Sequence, residues 1–395
     1  MAVRGVTRAL PVLLAAAVVA GALQMGERSD SPPRVRIELR GQRQVVFDWS
    51  RQACAPTQAA DLPARAFRDA RGRVQLLLSH FVSFRMVGPS LSRLRVDCRP
   101  VMGSVGDPDP AAYRDRQWLA APFTEDGRRV WALVHDEYQG NLHPGRCHRE
   151  GYGPCAYHAV TLAVSDDGGR RFHPANHSAR VVAAPPYRYP GGAGPVGFFA
   201  PTNVVRRGDG HLYALVRFRD PDGRRGVCLI RAHEIASQGG WRAWDGDGFR
   251  RLFNPYRRPP QPHTGCQRIA PAQIGQMAES LSFNRALGLY VLLGMGADRT
   301  SGRPRRTGVY LSVSADLVNW SERRLLMPAS TVQTYRCGQR SPVAYPAVLD
   351  ADSGSRIFST SDRFAFLYFT QLHYRNCRRT PDRDLVRVPI EVRAR

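Results

Sequence analysis

The chain has 395 residues, of which 43% are hydrophobic and 23% charged, a composition typical of globular proteins that excludes an intrinsically disordered chain. Its formal net charge is +24, and all 57 basic residues are arginine, which excludes lysine chemistry such as Schiff-base catalysis or a P-loop. The 36 glycines and 30 prolines predict many turns and argue against a helical bundle.

The positive charge is spread along the whole chain. No basic run is interleaved with aromatic residues, the pattern that indicates a nucleic-acid surface. We therefore expect no nucleic-acid partner and interpret most arginines as solvated surface. Adsorption to anionic wall polymers is the alternative interpretation of this charge.

Residues 1–22 have the pattern of a secretory signal peptide. Arg4 and Arg8 precede an apolar run over residues 9–20, and Ala20-Gly21-Ala22 is a small-x-small cleavage site. A membrane anchor is the alternative, but the run is shorter than the roughly 20 apolar residues that a spanning helix needs. We predict an exported protein, secreted or periplasmic, with no integral membrane span after cleavage.

All eight cysteines follow the predicted cleavage site, and an even number in an exported chain predicts disulfide bonds. Their order along the chain predicts four pairs: Cys54–Cys98, Cys147–Cys155, Cys228–Cys266 and Cys337–Cys377. The alternative at the second pair is a zinc site, because three histidines surround it: His143, His148 and His158. The spacing matches no standard zinc pattern, which favours the disulfide.

Five strand pairs recur along the mature chain, each joined by a turn with Gly or Asp. They are predicted at 64–67 with 74–78, 118–123 with 130–134, 198–205 with 212–216, 281–283 with 289–293, and 343–349 with 364–370. Most units continue into a second hairpin, and four strands repeated five times is the pattern of a β-propeller. A pair of β-sandwiches is the main alternative for this all-β chain.

These units define the predicted domains. Residues 57–395 form one five-bladed β-propeller domain stapled by disulfides. Residues 23–56 form an N-terminal segment, in which the alternating Val35, Ile37 and Leu39 supply a ring-closing strand beside the last one.

Two turn motifs resemble those of known propellers. Residues 165–172 fit S-x-D-x-G-x-x-F, the Asp box of sialidase-like propellers, and residues 314–320 resemble the S-x-D-L-x-x-W blade ending of five-bladed glycosidases. The latter are of the arabinanase, β-xylosidase and fructosidase type. In such turns the Asp accepts backbone N–H groups and the aromatic ring packs between blades, so both motifs are structural. The resemblance implies a five-bladed propeller and glycoside hydrolase activity.

The resemblance also implies a catalytic pair. In those glycosidases the first strand of each blade begins at the face that carries the site, a carboxylate opening the first blade acts as base or nucleophile, and a Glu opening a later blade acts as the acid. Asp61 and Glu279 hold these positions here. Glycoside cleavage needs such a pair, one carboxyl protonated and one ionised. The alternative is that each is a strand-end carboxylate bonded to a neighbouring blade.

A polar run over residues 135–141 follows an apolar strand. Alternation predicts His135 and Glu137 on one side of the strand and Asp136 and Tyr138 on the other. We expect the run to bind sugar and Glu137 to assist as a third carboxylate; a merely hydrophilic loop is the alternative. A structural Ca²⁺ held by Asp136 and Glu137 is a second alternative, and otherwise we expect no metal and no cofactor.

Further substrate-binding candidates lie at the same predicted face: Arg65, Trp118, Asn203, Arg217, Tyr345 and His373. For the aromatic residues among them, the alternative is a place in the core. The sequence thus predicts an exported monomeric glycoside hydrolase acting on a polysaccharide or oligosaccharide. A non-catalytic glycan-binding propeller is the first alternative, since fold does not imply chemistry. A sialidase-like enzyme is the second; it requires three arginines around a carboxylate and a Tyr–Glu pair.

Overall fold

The computed structural model describes residues 1–2, 35–176, 180–237, 240–252, 254–257, 266–298 and 306–394. The predicted signal peptide, apart from its first two residues, lies outside this part of the chain. Contacts divide the chain into two units, Met1–Pro32 and Pro33–Arg395, and everything below concerns the second. Among the described residues, no helix is long and apolar enough to cross a membrane.

The described chain is all-β, as predicted. It opens with β1 (Val35–Leu39), β2 (Gln44–Phe47) and the single-turn helix α1 (Trp49–Gln52). A first unit comprises β3 (Arg65–Arg68), β4 (Val74–Leu78), β5 (Val82–Ser90) and β6 (Arg93–Gly103). A second comprises β7 (Arg116–Phe123), β8 (Val130–Gln139), β9 (Ala156–Ser165), β10 (His173–Pro174) and β11 (Val181–Ala183). Short 3₁₀ turns lie at Pro110–Ala112, Gly140–Leu142 and Gly153–Cys155.

Three further units follow along the chain. The third comprises β12 (Val196–Pro201), β13 (Val205–Arg206), β14 (Leu212–Arg219), β15 (Arg225–Ala232), β16 (Arg242–Trp244) and β17 (Phe249–Arg251). The fourth comprises β18 (Ser280–Asn284), β19 (Leu289–Ala297), β20 (Thr307–Ser314) and β21 (Arg324–Pro328). The fifth comprises β22 (Val343–Leu349), β24 (Phe364–Arg375) and β25 (Arg378–Ala394), while β23 (Thr360–Ser361), between β22 and β24 along the chain, pairs in parallel with β18 of the fourth unit.

The pairing of the strands confirms all five predicted hairpins, each of which is antiparallel. The second and third units are joined, however, because β12 pairs in parallel with β9, with Gly197 opposite His158. Only glycine fits there, since a Cβ on Gly197 would lie 2.1 Å from the His158 carbonyl oxygen. Within the described residues the strands therefore form four hydrogen-bonded sheets, where five separate blades would give five.

Both ends of the described chain share one sheet. β1 pairs antiparallel with β25, with Val35 opposite Ala394 and Leu39 opposite Ile390. β2 pairs with an earlier stretch of the same strand. The outer edge of the fifth unit is therefore covered by the N-terminal segment, which removes a long exposed edge strand.

The hydrophobic core is divided among clusters that lie between successive units. Alternating side chains place one cluster across the third and fourth units, including Leu229 and Leu281, and another across the fourth and fifth. A third cluster joins the fifth unit to the first, where Tyr368 and Leu349 pack with Leu76. Successive units thus pack face to face, and the last packs on the first.

The turn at residues 165–172 is held by its own side chains. The Ser165 hydroxyl accepts the Gly169 N–H at 2.8 Å and donates to Asp167 at 2.7 Å. Asp167 accepts the N–H of Arg170 at 2.9 Å, and Phe172 is buried. The turn at residues 314–320 repeats this pattern. These contacts fit the structural role expected of such motifs.

The four disulfides confirm the pairing predicted from cysteine order. They join Cys54–Cys98, Cys147–Cys155, Cys228–Cys266 and Cys337–Cys377, and no cysteine of the chain is free. The zinc alternative at the second pair is wrong, because both of its sulfurs are bonded to each other. Four disulfides fit an extracellular or periplasmic protein.

Candidate active site

Asp61 lies just before β3 and is held beside the end of β4, because its N–H donates to the Ser79 carbonyl at 2.9 Å. Three side chains from distant parts of the chain meet its carboxylate. Arg383 forms an ion pair with Oδ1, the Tyr345 hydroxyl donates to Oδ1 at 2.9 Å, and His80 Nε2 lies 3.5 Å from Oδ2. This carboxylate is thus surrounded by donors and positive charge.

Tyr345 reaches Asp61 through an irregularity in β22. The register with β24 shifts between Ala344 and Ala347, and Tyr345 has a φ of 57°, in the left-handed region. A bulge of this kind re-aims a side chain that regular alternation would direct elsewhere. Such a conformation is costly for a bulky residue, and it persists here because the surrounding sheet imposes it.

Glu279 lies just before β18 in a different environment. Its carboxylate accepts the N–H of Ala278 at 3.0 Å and packs against the backbone of β19. A Cβ on Gly294 would lie 2.3 Å from a carboxylate oxygen, so glycine is required at that position. Burial of the carboxyl raises the pKa of Glu279, and the charge of Arg217 opposes the rise.

Two arginines border Glu279. Arg65 donates to the backbone carbonyl of Glu279 and, at 3.1 Å, to that of Ala64, and its burial lowers its pKa to about 9. Arg217 stacks over the ring of Phe199 at 5.1 Å. Arg65 is therefore committed to backbone acceptors, whereas Arg217 keeps its guanidinium available to the carboxylate.

A third carboxylate lies at the end of β8. Glu137 Oε2 is 3.4 Å from His135 Nε2 on the same face of the strand, and 3.6 Å from His158 Nδ1 on β9. Gln139 donates to its other oxygen. Burial would raise the pKa of Glu137, but hydrogen bonding to His135 and the charge of the histidines outweigh it and lower the pKa to about 2.

Trp118 connects the surroundings of two of these carboxylates. Its ring lies 6.1 Å from that of His80, the partner of Asp61, and 5.6 Å from that of His135, the partner of Glu137. Trp118 is 6% exposed, so it is mainly a wall of the site. The Trp118 ring of the second unit thus packs against Leu62 and Phe81 of the first.

Electrostatic interactions extend these contacts. Desolvation raises the pKa of the Tyr152 phenol, and the charges of Glu137 and Asp61 add to the rise. Arg217 acts electrostatically on both Glu279 and His158. Contacts also link the three segments: Arg65, shortly after Asp61, donates to the Glu279 carbonyl, and Trp118 contacts the histidine partners of both Asp61 and Glu137. The segments that carry Asp61, Glu137 and Glu279 are therefore neighbours.

Asp136 and Tyr138 project from the opposite face of β8. Asp136 is fully buried near Asp115, and burial raises its pKa well above the usual range, with Asp115 adding to the rise and Gln117 opposing it. The Tyr138 hydroxyl donates to the Pro108 carbonyl at 3.0 Å. Asp136 and Glu137 face opposite sides of the strand, so they do not share a cation. This removes the alternative of a calcium ion held by Asp136 and Glu137.

Two other candidate residues are engaged elsewhere. Asn203 forms two hydrogen bonds with the backbone of Leu281, accepting its N–H at 3.0 Å and donating to its carbonyl, and so ties the third unit to the fourth. His373 Nε2 bonds with Asp384 at 2.8 Å and lies 3.9 Å from Asp382. Both side chains are therefore engaged by protein partners.

Sequence reasoning did not select four residues that border these carboxylates: His80, Tyr152, His158 and Arg383. For His80 a signal exists, because it follows the second strand of its unit closely, and His135 and Glu137 lie near the end of the second strand of theirs. The sequence indicates His158 only as a zinc ligand beside the cysteines, whereas the structure places it opposite Glu137 in the β8–β9 register. No local signal marks Tyr152 or Arg383.

No protein-family model matches the chain, and no curated protein sequence matches it significantly. Among solved structures, it is similar to a thermostable family-43 glycoside hydrolase, with 10% identity and a TM-score of 0.47 over 87% of this chain and 95% of the other. It is similar to a Cellvibrio cellulosa α-L-arabinanase complexed with arabinohexaose, with 9% identity and a TM-score of 0.45 over 79% and 86%.

The chain is also similar to a xylan β-1,4-xylosidase from Bacillus halodurans C-125, with 12% identity and a TM-score of 0.46 over 85% of this chain. It spans about half the length of that xylosidase, covering 54% of it. All three TM-scores lie below 0.5, so the description of the fold rests on the strand pairing given above.

Proposed function

We propose that the chain is a glycoside hydrolase whose five antiparallel units are the blades of a five-bladed β-propeller. Three observations support the ring: successive units share hydrophobic clusters, the fifth unit packs on the first, and the N-terminal strand closes the last sheet. In a propeller the first strand of each blade lines the central channel. Carboxylates that precede β3 and β18 would then meet at one mouth of that channel.

The observation that carries the proposed chemistry is the contrast between Asp61 and Glu279. Glycoside hydrolysis needs one protonated carboxyl to assist the leaving group and one ionised carboxylate to activate water or attack the sugar. Burial raises the pKa of Glu279, which suits the acid, while the donors around Asp61 suit an anion. Glu137 adds a third negative charge beside the pair.

We further propose which side chains bind the sugar. Trp118, His135, Arg217 and Tyr345 border the three carboxylates and offer an aromatic face and hydrogen-bond donors, and Arg65 supports the segment that carries Glu279. Sugars are bound by such combinations of ring contacts and directed hydrogen bonds. Asp136, Tyr138, Asn203 and His373 have partners elsewhere, so we assign them supporting roles.

A sialidase-like mechanism is a second candidate, because Tyr152 lies near Glu137 and arginines are near. Of the three arginines described above, however, Arg383 pairs with Asp61 and Arg65 with backbone carbonyls, which leaves Arg217 alone available to a substrate carboxylate, where that mechanism requires three. Desolvation and the charge of Glu137 also raise the pKa of Tyr152, which keeps the phenol protonated. A substrate without a carboxylate therefore fits the candidate site better.

The test is reducing-sugar release from a panel of plant, fungal and bacterial wall glycans, with sialosides included. Wild type is compared with Asp61→Asn and Glu279→Gln, and with Asp247→Asn and Glu322→Gln as matched changes at exposed carboxylates. Release that the first two changes abolish and the other two leave intact would support the proposal, provided that folding and glycan binding persist.

Other outcomes would support the alternatives. Glycan binding without release by any form of the protein would indicate a recognition module. Release from sialosides alone, abolished by Tyr152→Phe, would indicate the sialidase-like mechanism and contradict the assignment of Asp61 and Glu279.

We also propose that the protein acts outside the cytoplasm, after removal of residues 1–22. The disulfides support this, since such bonds persist in oxidising compartments. N-terminal sequencing of protein recovered from the medium or periplasm would test it: a mature chain that begins at Leu23 is expected. An intact N-terminus at Met1 in a cytoplasmic protein would contradict it.

A further inference from the structure

The face of β8 that carries Glu137 forms a buried trio with β9. The side chains of His135 and Glu137 are each 9% exposed and that of His158 is 2% exposed. One ligand atom from each residue lies within 4.8 Å of the others. Such a grouping of two imidazoles and one carboxylate, away from solvent, calls for a chemical explanation.

Three of the four imidazole nitrogens of this trio lack a hydrogen bond. Within the part of the chain that the structure describes, neither Nδ1 nor Nε2 of His158 has a hydrogen-bond partner, and Nδ1 of His135 has none. Buried polar atoms are nearly always paired, because an unpaired one forfeits its interaction with water. A ligand that accepts the electron pair of His158 Nδ1 would remove this cost for that nitrogen.

The spacing fits a metal ion. Zinc binds imidazole nitrogen and carboxylate oxygen at about 2.0–2.2 Å, so neighbouring ligand atoms of a tetrahedral site lie roughly 3.3 Å apart. Here Glu137 Oε2 lies 3.4 Å from His135 Nε2 and 3.6 Å from His158 Nδ1. Imidazole ligands favour zinc and related transition ions over calcium, which prefers oxygen.

The surrounding structure holds the three side chains in place. Glu137 and His158 are directly opposite in the β8–β9 register, and His135 lies two residues earlier on the same face. Gln139 donates to the Glu137 oxygen that the histidines do not contact. The Phe199 ring lies 4.3 Å from that of His158, which adds an apolar wall. An oriented carboxylate and an apolar shell are typical supports of a metal site.

We propose that His135, Glu137 and His158 bind one divalent transition ion of the zinc class. Three protein ligands leave a coordination position for water or a ligand hydroxyl. The proposal does not depend on glycosidase activity, and with the ion bound Glu137 acts as a ligand rather than as a free third carboxylate.

A second His–Asp cluster provides the matched control. His373, Asp382 and Asp384 also lie within ligand distance of one another, but they are half-exposed, and His373 already bonds with Asp384 at 2.8 Å. Removing this histidine tests whether any metal binding arises from surface histidines in general.

The experiment is calorimetric titration of the full chain with Zn²⁺ after treatment with a chelator. One saturable site is expected in wild type and in His373→Gln. His158→Asn and His135→Gln should each bind Zn²⁺ more than about 100-fold more weakly. Each change removes a ligand, which costs more than the roughly 10–100-fold loss caused by changing a residue that only supports a ligand. Circular dichroism checks that both variants fold, and Co²⁺ absorption bands of the wild type report nitrogen and oxygen ligation.

Absence of saturable binding in wild type would overturn the proposal. Binding that survives both His135→Gln and His158→Asn but is lost in His373→Gln would also overturn it. If the variants fail to fold, anomalous scattering at the zinc edge from wild-type crystals decides, since an ion elsewhere contradicts the assignment. No step uses a glycan, so this outcome is separate from that of the hydrolase test.

Discussion

The segments that open the first and fourth units each carry a carboxylate, but the two carboxylates have opposite surroundings. Asp61 is met by Arg383, Tyr345 and His80, whereas Glu279 is enclosed by backbone and accepts one N–H from Ala278. Side-chain donors favour an anion, and loss of water favours a neutral acid. The same position in two units therefore yields two carboxyl groups in different environments, and under the proposed function this difference would let an acid and a base coexist at one pH.

Varying the leaving group of the substrate tests whether Asp61 and Glu279 have the separate roles that we propose. We expect Glu279→Gln to lose about 10²–10⁴-fold in kcat on natural glycans but to retain much of its activity on aryl glycosides with acidic phenols, which leave without protonation. Asp61→Asn should lose a similar factor on both. Steady-state kinetics with both substrate types measures the difference.

Glu322→Gln serves as the control for this comparison, because it makes the same chemical change at an exposed position. It should behave like wild type on both substrates. Equal losses for Asp61→Asn and Glu279→Gln on every leaving group would contradict the separate roles.

The pH profile tests the raised pKa of Glu279. An acid must be protonated to act, so activity on natural glycans should fall about tenfold for each pH unit above that pKa. In Glu279→Gln, assayed on an activated aryl glycoside, this alkaline decline should disappear. A decline that persists unchanged in the variant would assign it to another group.

Removing one donor from Asp61 should have a smaller effect. Tyr345→Phe deletes the hydroxyl that donates to Oδ1, a hydrogen bond to a charged group worth about 1.5 kcal/mol, so we expect kcat to fall roughly tenfold. KM should change little, because the ring remains. A large loss of thermal stability with unchanged kcat would indicate that the hydroxyl is only structural.

The smallest effect on activity is expected at a turn carboxylate. Burial would raise the pKa of Asp167, but hydrogen bonds from Ser165 and from backbone N–H groups outweigh it and lower the pKa. Asp167→Asn should therefore cost about 1 kcal/mol of unfolding free energy at neutral pH, with kcat unchanged.

The pH dependence of this cost follows from the lowered pKa. The carboxylate contributes stability above its unfolded pKa and loses it as pH falls through the folded value. Denaturant unfolding at pH 7 and at pH 3 measures the free energy of unfolding of wild type and of Asp167→Asn. The difference between the two proteins should be smaller at pH 3 than at pH 7. A loss of kcat in this variant would place the turn in the active site after all.

Local patterns account for what could be predicted from sequence. The hairpins follow from alternating apolar residues and turn residues, and the disulfides from cysteine order in a chain with short connections. The opposite orientation of Glu137 and Asp136 follows from the two-residue period of a strand. Each of these features depends on residues close together in the chain.

The remaining features depend on contacts between distant residues. Tyr345 reaches Asp61 only because of a bulge in β22, and nothing in its sequence neighbourhood marks one. Arg383 is one of 57 arginines, so its residue type carries no information about its partner. The joining of the second and third units requires Gly197, which reads as an ordinary strand-end glycine until the neighbouring carbonyl is known.

The partners of Asp61 also have a consequence for biosynthesis. Tyr345 follows Asp61 by 284 residues, and Arg383 comes later still, so a growing chain makes the acidic group long before the groups that neutralise it. Domains begin to fold while synthesis continues. In this chain, however, the Asp61 carboxylate of the first unit has no arginine partner until the strand that carries Arg383 has been made. A premature stop codon just before Arg383 would leave the strands of the first four units complete and still remove the charged partner of Asp61.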